Sequence, residues 1–213
     1  MNNINAPYNC RRCPRLAHFL DEQRTLRPDY FNGPVPNFFS DAPKLVVIGL
    51  APGMHGANRT GRPFTGDWAG DLLFKAMGEY GFTSGTYNKH ADDGLELKDA
   101  MVTNVVRCLP PQNKPNATEI NTCRDAFHKA QLAALPNAKV LLCLGKISHD
   151  STVRALGLQL SKHKFGHGTE YQDASNRVIL SSYHCSRYNT NTKRLTEEMF
   201  FQIFLRARAL CDA

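Results

Sequence analysis

The sequence predicts an α/β protein: a three-layer α/β/α sandwich around a mainly parallel central sheet of about four strands. Four short apolar runs, at residues 44–50, 99–106, 139–144 and 177–181, have the length and composition of buried strands. Helix-like segments alternate with these runs along the chain, which is typical of parallel sheets covered by helices on both faces. In such folds, ligands bind beside the carboxyl ends of the strands.

Four helices accompany these strands, and we expect them over residues 67–80, 116–135, 145–156 and 192–210. Asn116, with Glu119 three residues later, forms a pattern similar to a capping box at the start of the second helix. Residues 81–98 carry glycines and mixed charge, which predicts a surface excursion rather than a linker between domains.

The segment before the first strand predicts an N-terminal arm. A helix-like run around residues 16–20 is followed by a stretch rich in proline, which favours an irregular path towards the first strand. We expect residues 1–43 to pack on one domain that spans residues 1–213. A chain of 213 residues can bury a full core without dividing.

Composition points to a polyanionic partner. The chain has 26 Lys and Arg against 19 Asp and Glu, a formal net charge of +7, which suits nucleic acid although many basic proteins bind none. No apolar run has a membrane-spanning length, and residues 1–5 lack the features of a signal peptide. We therefore expect a soluble, cytoplasmic protein that does not bind membranes.

The stretch that carries the chemistry is GLAPGMHGANRTGRPFTGDWAG, residues 49–70, between the first strand and the first helix. Its glycines allow the backbone to bend sharply and to approach a ligand closely. A phosphate-binding turn is the plainer interpretation, but neither common nucleotide-binding glycine motif is present. The loop also supplies polar side chains: Arg59, Thr60, Arg62, Thr65 and Asp67.

The seven cysteines form a second signal. An odd number without a secretion signal argues against a disulfide framework and favours metal binding or buried thiols. Cys10 and Cys13 form a C-x2-C pair, and Cys108 and Cys123 lie in a region rich in Pro and Asn. Four thiolates can hold zinc or an iron-sulfur cluster, and the spacing alone does not choose between them. Cys143 lies in a strand pattern and is expected to be a buried core thiol.

Residues 49–67 resemble the first motif of the uracil-DNA glycosylase superfamily, and most closely that of its family 5, the type B iron-sulfur enzymes, through GLAP, GANRTGR and FTGD. The resemblance implies that Phe64 stacks against a base flipped out of DNA. It also implies that Gly49, Ala51 and Gly53 line the base pocket. The implied cofactor is one [4Fe-4S] cluster on Cys10, Cys13, Cys108 and Cys123.

Two further segments are similar to motifs of the same family. Asn104 lies in TNVVRC at the end of the second strand, and the resemblance implies that its amide recognises the Watson–Crick edge of uracil. His184 opens HCSRYN, which resembles the second motif HPSPxN, and it matches the residue that hydrogen-bonds uracil O2. Without the resemblance, a strand-end Asn and a structural His are the plainer interpretations.

The chain departs from the family pattern in the second motif. Cys185 and Arg187 occupy proline positions, and Tyr188 replaces an aliphatic wedge. We expect Arg187 to contact a phosphate and Tyr188 to fill the gap left by the flipped nucleotide. In the first motif, Asp67 is the remaining acid, a candidate either for orienting water or for capping the following helix.

Together these features predict a monofunctional, monomeric DNA-repair glycosylase that removes uracil, and also hypoxanthine, from DNA and leaves an abasic site. The catalytic candidates are His184, Asp67 and Asn104. A noncatalytic nucleic-acid-binding module with a structural metal site held by four cysteines is the alternative. The residues expected to contact DNA are Arg59, Arg62, His167, Arg187 and Tyr188.

Overall fold

The computed structural model of the protein describes residues 4–213. Its strands are β1 (Phe38–Phe39), β2 (Leu45–Gly49), β3 (Thr83–Ser84), β4 (Glu96–Leu97), β5 (Ala100–Asn104), β6 (Val140–Leu144), β7 (Glu170–Gln172) and β8 (Val178–Ser182). Its α-helices are α1 (Pro14–Leu26), α2 (Ala57–Thr60), α3 (Trp68–Glu79), α4 (Ala117–Cys123), α5 (Lys129–Ala133), α6 (Lys146–Ala155), α7 (Arg187–Asn191) and α8 (Glu197–Asp212).

The central sheet has six strands in the order β1-β5-β2-β6-β8-β7. Its four inner strands run parallel and coincide with the four predicted from the sequence, so the predicted fold class is confirmed. The edge strands β1 and β7 are antiparallel to their neighbours and were not predicted, because two or three residues are too few to show a hydrophobic period. Strands β3 and β4 form a separate hairpin.

Helices cover both faces of the sheet, as the alternating pattern predicts. Side chains of successive strand residues point to opposite faces. On one face, Val47 and Leu142 pack in a cluster with residues of α3 and α8. On the other face, Val46 and Leu141 pack with residues of α1, α5 and α6. The inner strands are buried on both sides and hold the two layers of helices together.

The helix predicted over residues 116–135 contains a π-helical turn. The Asn116 side chain accepts from the Glu119 backbone N–H, and the Glu119 carboxylate accepts from the Asn116 backbone N–H, so the predicted capping box is present. A π-helical turn, Arg124–His128, joins α4 to α5. Such turns are rare and occur often near functional sites.

The last predicted helix, over residues 192–210, is wrong at its start. The chain forms the short helix α7 first, and Lys193 then adopts a left-handed backbone conformation with φ 57°. Helix α8 begins only at Glu197, where the Thr196 side chain accepts from the Met199 backbone N–H at 3.1 Å. The break separates α7 from α8, which lets α7 remain beside the carboxyl edge of the sheet.

The N-terminal arm is tied to the body by helix α1. Leu16 and Leu20 are buried in the same cluster as α5. Arg15 forms two hydrogen bonds of 2.8 Å to the carboxylate of Glu119 in α4. In residues 4–213, no helix is long and apolar enough to cross a membrane.

The register of the sheet brings several loops together at one edge. Gly49 at the end of β2 pairs with Asn104 at the end of β5, and Leu144 pairs with Ser182. Because the four inner strands are parallel, their carboxyl ends all meet at this edge. The long loop after β2 and the segment after β8 therefore lie next to Asn104.

The buried imidazole of His128 makes stability depend on pH. Burial, with Arg107 and Arg124 nearby, lowers its pKa to about 3. The unfolded chain binds a proton there near pH 6.5, whereas the folded protein does not. Each pH unit below 6.5 should therefore cost about 1.4 kcal/mol of unfolding free energy from this residue. Urea unfolding at pH 7, 6 and 5 should show this loss in the wild type and a shallower loss in His128→Gln; equal pH dependences would contradict it.

Candidate functional site

A pocket of about 430 Å³ opens at the carboxyl edge of the sheet. The loop after β2 supplies most of its wall, Asn104 contributes from β5, and His184 contributes from the segment after β8. The pocket is mostly apolar with a few polar groups directed into it, as is typical of sites for small organic ligands. It is lined by Leu50, Ala51, Pro52, Gly53, Ala57, Phe64, Asp67, Trp68, Ala69, Asn104, Asn113, His184, Ser186 and Arg187.

Phe64 provides an aromatic surface in this pocket. Its ring stacks with that of His184, with centroids 5.9 Å apart and planes 25° from parallel. The residue is 7% exposed and adopts a left-handed backbone conformation with φ 54°, which non-glycine residues rarely do. The structure therefore brings the predicted stacking residue next to the predicted catalytic histidine.

Gly49 permits this arrangement. A Cβ atom on residue 49 would lie 2.6 Å from Cζ of Phe64 and 2.3 Å from Oδ1 of Asn104, which is closer than side-chain carbons approach such atoms. The ring and the amide can converge only because β2 ends in a residue without a side chain. Ala51 and Gly53 also line the pocket.

Asn104 directs an amide into the pocket. The residue is 4% exposed, yet among residues 4–213 its carboxamide makes no hydrogen bond. Asn104 lines the pocket, so its amide remains open to a ligand there. The amide offers a donor and an acceptor side by side, which matches the edge of a nucleobase.

His184 lies in the pocket wall and is held through its backbone. Its carbonyl accepts a hydrogen bond of 2.8 Å from Nδ2 of Asn189 in α7. Burial lowers the pKa of His184, and the negative charge of Asp67 opposes this shift only in part. The imidazole is therefore neutral near pH 7 and can present one N–H donor to a ligand.

Asp67 caps a helix with one carboxylate oxygen and leaves the other without a partner among the described residues. Its Oδ1 accepts a hydrogen bond of 3.1 Å from the Gly70 backbone N–H and so caps helix α3. Its Oδ2 faces Gly53 and Gly56 and has no hydrogen-bond partner in the described part of the chain. One carboxylate oxygen thus stays available to water or substrate in the pocket.

Trp68 and Asn113 are among the pocket residues that the sequence analysis missed. Trp68, next to Asp67, is 45% exposed, and its indole N–H donates to Oγ1 of Thr190 at 3.1 Å. Asn113 reaches the pocket from the loop between Cys108 and α4, where it and Gln112 both have positive φ. The sequence feature that could have identified Asn113 is its position in the Pro- and Asn-rich segment between Cys108 and Cys123, two predicted metal ligands.

The rim of the pocket carries exposed cationic and aromatic groups. The Arg187 guanidinium lies over the Trp68 ring, 5.3 Å from its centroid. Tyr188, the next residue in α7, is 72% exposed and projects into solvent. Arg59 is half-buried in α2, with its Nε donating to the His55 carbonyl at 2.9 Å.

The structure directs the side chain of Arg62, which was predicted to contact DNA, into the protein. Its side chain is 7% exposed, and both terminal nitrogens bond the carboxylate of Asp93 at 2.8 Å. Its Nε donates to Oγ1 of Thr65 at 2.8 Å. The donors of this guanidinium are therefore used in hydrogen bonds within the protein.

His167 is also placed differently from its prediction as a DNA contact. Its ring stacks on Tyr183, with centroids 5.1 Å apart, and its Nδ1 accepts from the Tyr183 backbone N–H at 3.2 Å. Burial lowers its pKa, so it is not a cation near neutral pH. The contact supports the segment that leads to His184.

The four cysteines predicted as ligands meet in one place. Cys10, Cys13, Cys108 and Cys123 line a common small cavity. Burial raises the pKa of Cys13 to about 11, and the neighbouring Cys123 adds to the rise. Among residues 4–213, no group of His, Cys, Asp or Glu side chains is arranged tightly enough to hold a single metal ion. Cys143 is fully buried, as predicted for a core thiol.

The surroundings of Arg107, which lies beside these cysteines, indicate whether an anionic group fits in the cavity. Arg107 is 1% exposed, and its Nη1 donates to Oδ1 of Asn37. Its Nε and Nη2 are buried without a hydrogen-bond partner among residues 4–213. A buried cation is costly unless an anion balances it, and a metal-thiolate group carries net negative charge. The residues present therefore fit a cofactor held by four thiolates.

An aromatic surface, an unpaired amide and a neutral imidazole at the carboxyl edge of a parallel sheet define an enzyme of α/β fold with a site for a planar, hydrogen-bonding ring. Residues 36–207 match the family model described as the Uracil DNA glycosylase superfamily. The chain belongs to this superfamily, and the family predicted from the sequence is confirmed.

Named relatives agree with this assignment. The chain is 41% identical over 206 residues to the type-5 uracil-DNA glycosylase of Thermus thermophilus, covering 94% of this chain and 93% of the relative. It is 36% identical over 210 residues to the type-5 uracil-DNA glycosylase of Pyrobaculum aerophilum, covering 97% and 91%. A type-4 uracil-DNA glycosylase of Sulfurisphaera tokodaii is 28% identical over 166 residues, covering 75% and 68%.

Proposed function

We propose that this protein is a monofunctional DNA-repair glycosylase that hydrolyses the N-glycosidic bond of uracil in DNA. The observation that carries the proposal is the amide of Asn104, which lines the pocket, has no hydrogen-bond partner in residues 4–213 and lies adjacent to the Phe64 ring. A flipped uracil stacked on Phe64 would offer O4 to the amide N–H and N3–H to the amide oxygen. Uracil removal is also the activity in the names of the family and of its relatives.

The reaction breaks the bond between the base and C1′ of the sugar, and water supplies the oxygen that replaces the base. Negative charge then develops on uracil O2 and positive charge on the sugar. The neutral His184 imidazole donates its N–H to O2, which stabilises the departing anion without losing its own proton. The free Oδ2 of Asp67 faces the same pocket, where it orients the water or balances the charge of the sugar.

The pocket also supports activity on larger deaminated bases. At about 430 Å³ it exceeds the volume of a pyrimidine, and Leu50 and Ala51 line it without adding a charge that selects one base. We extend the proposal to hypoxanthine on this basis. The enzyme is proposed to act as a monomer of one domain, in a reducing intracellular setting that keeps its thiols free.

Contact with DNA is assigned to the rim of the pocket. Tyr188 projects from α7 and can occupy the space in the duplex that the flipped nucleotide leaves. Arg187 is exposed beside it, and Arg59 lies on the loop after β2. Arg62 and His167 are not part of this surface, because both are committed to contacts within the protein.

A [4Fe-4S] cluster is proposed on Cys10, Cys13, Cys108 and Cys123. The shared cavity of the four sulfurs and the unpaired nitrogens of Arg107 support an anionic cofactor there. Hydrolysis requires no electron transfer, so a cluster held by these four thiolates would link the N-terminal arm covalently to the segment around Asn113. This link would fix the loop that reaches the pocket.

Single-turnover cleavage of duplexes that each carry one uracil, hypoxanthine or xanthine tests the activity. We expect abasic sites from the uracil duplex, and His184→Ala should be about 10²–10³-fold slower with little change in DNA affinity, the usual cost of one preorganised donor. Asn104→Ala should be slower and should discriminate less between bases. No abasic product from any duplex would instead support the noncatalytic nucleic-acid-binding alternative.

Salt dependence of binding tests the proposed DNA surface. Each phosphate contact contributes roughly 0.9 to the slope of log affinity against log salt on duplex DNA. Arg187→Ala should lower affinity and reduce the slope by about that amount. Arg206→Ala removes an exposed cation on α8 that pairs with Glu170 and does not line the pocket, so this control should leave the slope unchanged. An unaltered slope in Arg187→Ala would remove this residue from the DNA contact.

Metal and sulfide analysis of protein purified without air tests the cofactor. We expect about four iron and four sulfide per chain, with loss of both in Cys108→Ser. Cys143→Ser is the control, since this buried thiol lies in the core and should leave the iron content unchanged. Stoichiometric zinc without sulfide would replace the cluster by a zinc site.

A further inference from the structure

The pocket surface formed by Phe64 depends on a strained backbone. Phe64 has φ 54°, and Gly66 two residues later has φ 95°. A side chain in the left-handed region is unfavourable for a non-glycine residue, so the surrounding structure must hold it there. Thr60 contributes one contact, through its hydroxyl to the Thr65 carbonyl, and further contacts come from residues 81–98, which the sequence analysis interpreted only as a surface excursion.

Tyr87 in this segment contacts the backbone on both sides of Thr65. Its hydroxyl accepts from the Gly66 backbone N–H at 3.1 Å and donates to the Phe64 carbonyl at 3.5 Å. Burial raises the pKa of Tyr87 to about 12, so the hydroxyl keeps its proton at neutral pH. A Cβ on Gly70 would lie 2.7 Å from this oxygen and 1.7 Å from the Phe64 carbonyl oxygen, which shows how closely α3 packs against the same point.

Asp93 holds the other side of the turn through Arg62. The carboxylate receives two hydrogen bonds of 2.8 Å from the Arg62 guanidinium and lies 1% exposed. It also accepts from the backbone N–H groups of Asn88 at 2.8 Å and Leu95 at 3.1 Å. Arg62 in turn donates a hydrogen bond to Oγ1 of Thr65, the neighbour of Phe64, and so restricts the position of the turn.

We propose that Tyr87 and Asp93 are positioning residues for base excision, because together they hold Phe64 in the left-handed conformation that places its ring beside His184 and Asn104. The inference rests on the proposed glycosylase activity. Neither residue lines the pocket, so both act through the turn of residues 62–66. Misplacing a group that orients substrate lowers the rate even when binding persists.

The segment offers a conservative variant and a matched control. Tyr87→Phe removes only the hydroxyl, and the ring keeps its packing on Phe74, whose centroid lies 4.7 Å away. Lys89 belongs to the same segment and forms an ion pair of 2.8 Å with Asp71, in which Lys89 is exposed and Asp71 is half-buried. Lys89→Gln therefore breaks a contact between this segment and α3 without touching the turn.

Single-turnover rates on a uracil duplex, measured with DNA affinity and melting temperature, test the proposal. Tyr87→Phe should be about 3- to 10-fold slower, the effect of losing a neutral hydrogen bond, with unchanged affinity. Asp93→Asn should be slower still where it folds, and Lys89→Gln should equal the wild type. A Tyr87→Phe enzyme as fast as the wild type would overturn the proposal.

A double-mutant cycle separates positioning from general weakening of the fold. If Tyr87 acts through Phe64, then Tyr87→Phe should slow the wild type but add no further loss in the Phe64→Ala background. Equal losses in both backgrounds would also overturn the proposal, since the hydroxyl would then act by another route. The wild-type rate in the same series reports on the glycosylase activity itself, so its absence would identify failure of the proposed function instead.

Discussion

The site depends on a steric constraint at the end of strand β2. Gly49 lies where the ring of Phe64 and the amide of Asn104 come so close that no Cβ fits between them. The parallel pairing of β2 with β5 fixes the position of Asn104 relative to Gly49. The pocket is therefore a consequence of sheet register combined with one missing side chain, and the loop after β2 completes its wall.

Two arginines are buried near the site, and their positive charges are balanced in different ways. Arg62 is neutralised inside the protein by Asp93, and this pair stiffens the turn that carries Phe64. Arg107 has no carboxylate partner among the hydrogen bonds of the described residues, and it lies against Cys108 and Cys123. The charge of Arg62 is balanced by a carboxylate of the protein itself. The charge of Arg107 is balanced only when an anionic group occupies the cysteine cavity.

The sequence allowed the fold to be predicted because strands and helices alternate with clear hydrophobic runs, whereas β1 and β7 are too short to show one. Phe64, Asn104 and His184 lie in motifs and could be located from sequence. The role of Arg62 could not, because its partner Asp93 lies 31 residues further on and only folding brings them together. Likewise, only the folded structure shows that one oxygen of Asp67 caps α3 while the other has no partner among the described residues.

The most direct test of this account is a crystal structure of the protein bound to a duplex that carries one non-hydrolysable uracil nucleotide. We predict that the uracil ring lies parallel to Phe64, with its O4 and N3 edge on the Asn104 amide and its O2 facing His184. The three side chains should occupy the positions they have without DNA, since the pocket is already formed. A uracil bound elsewhere, or a Phe64 ring displaced from the base, would contradict the account.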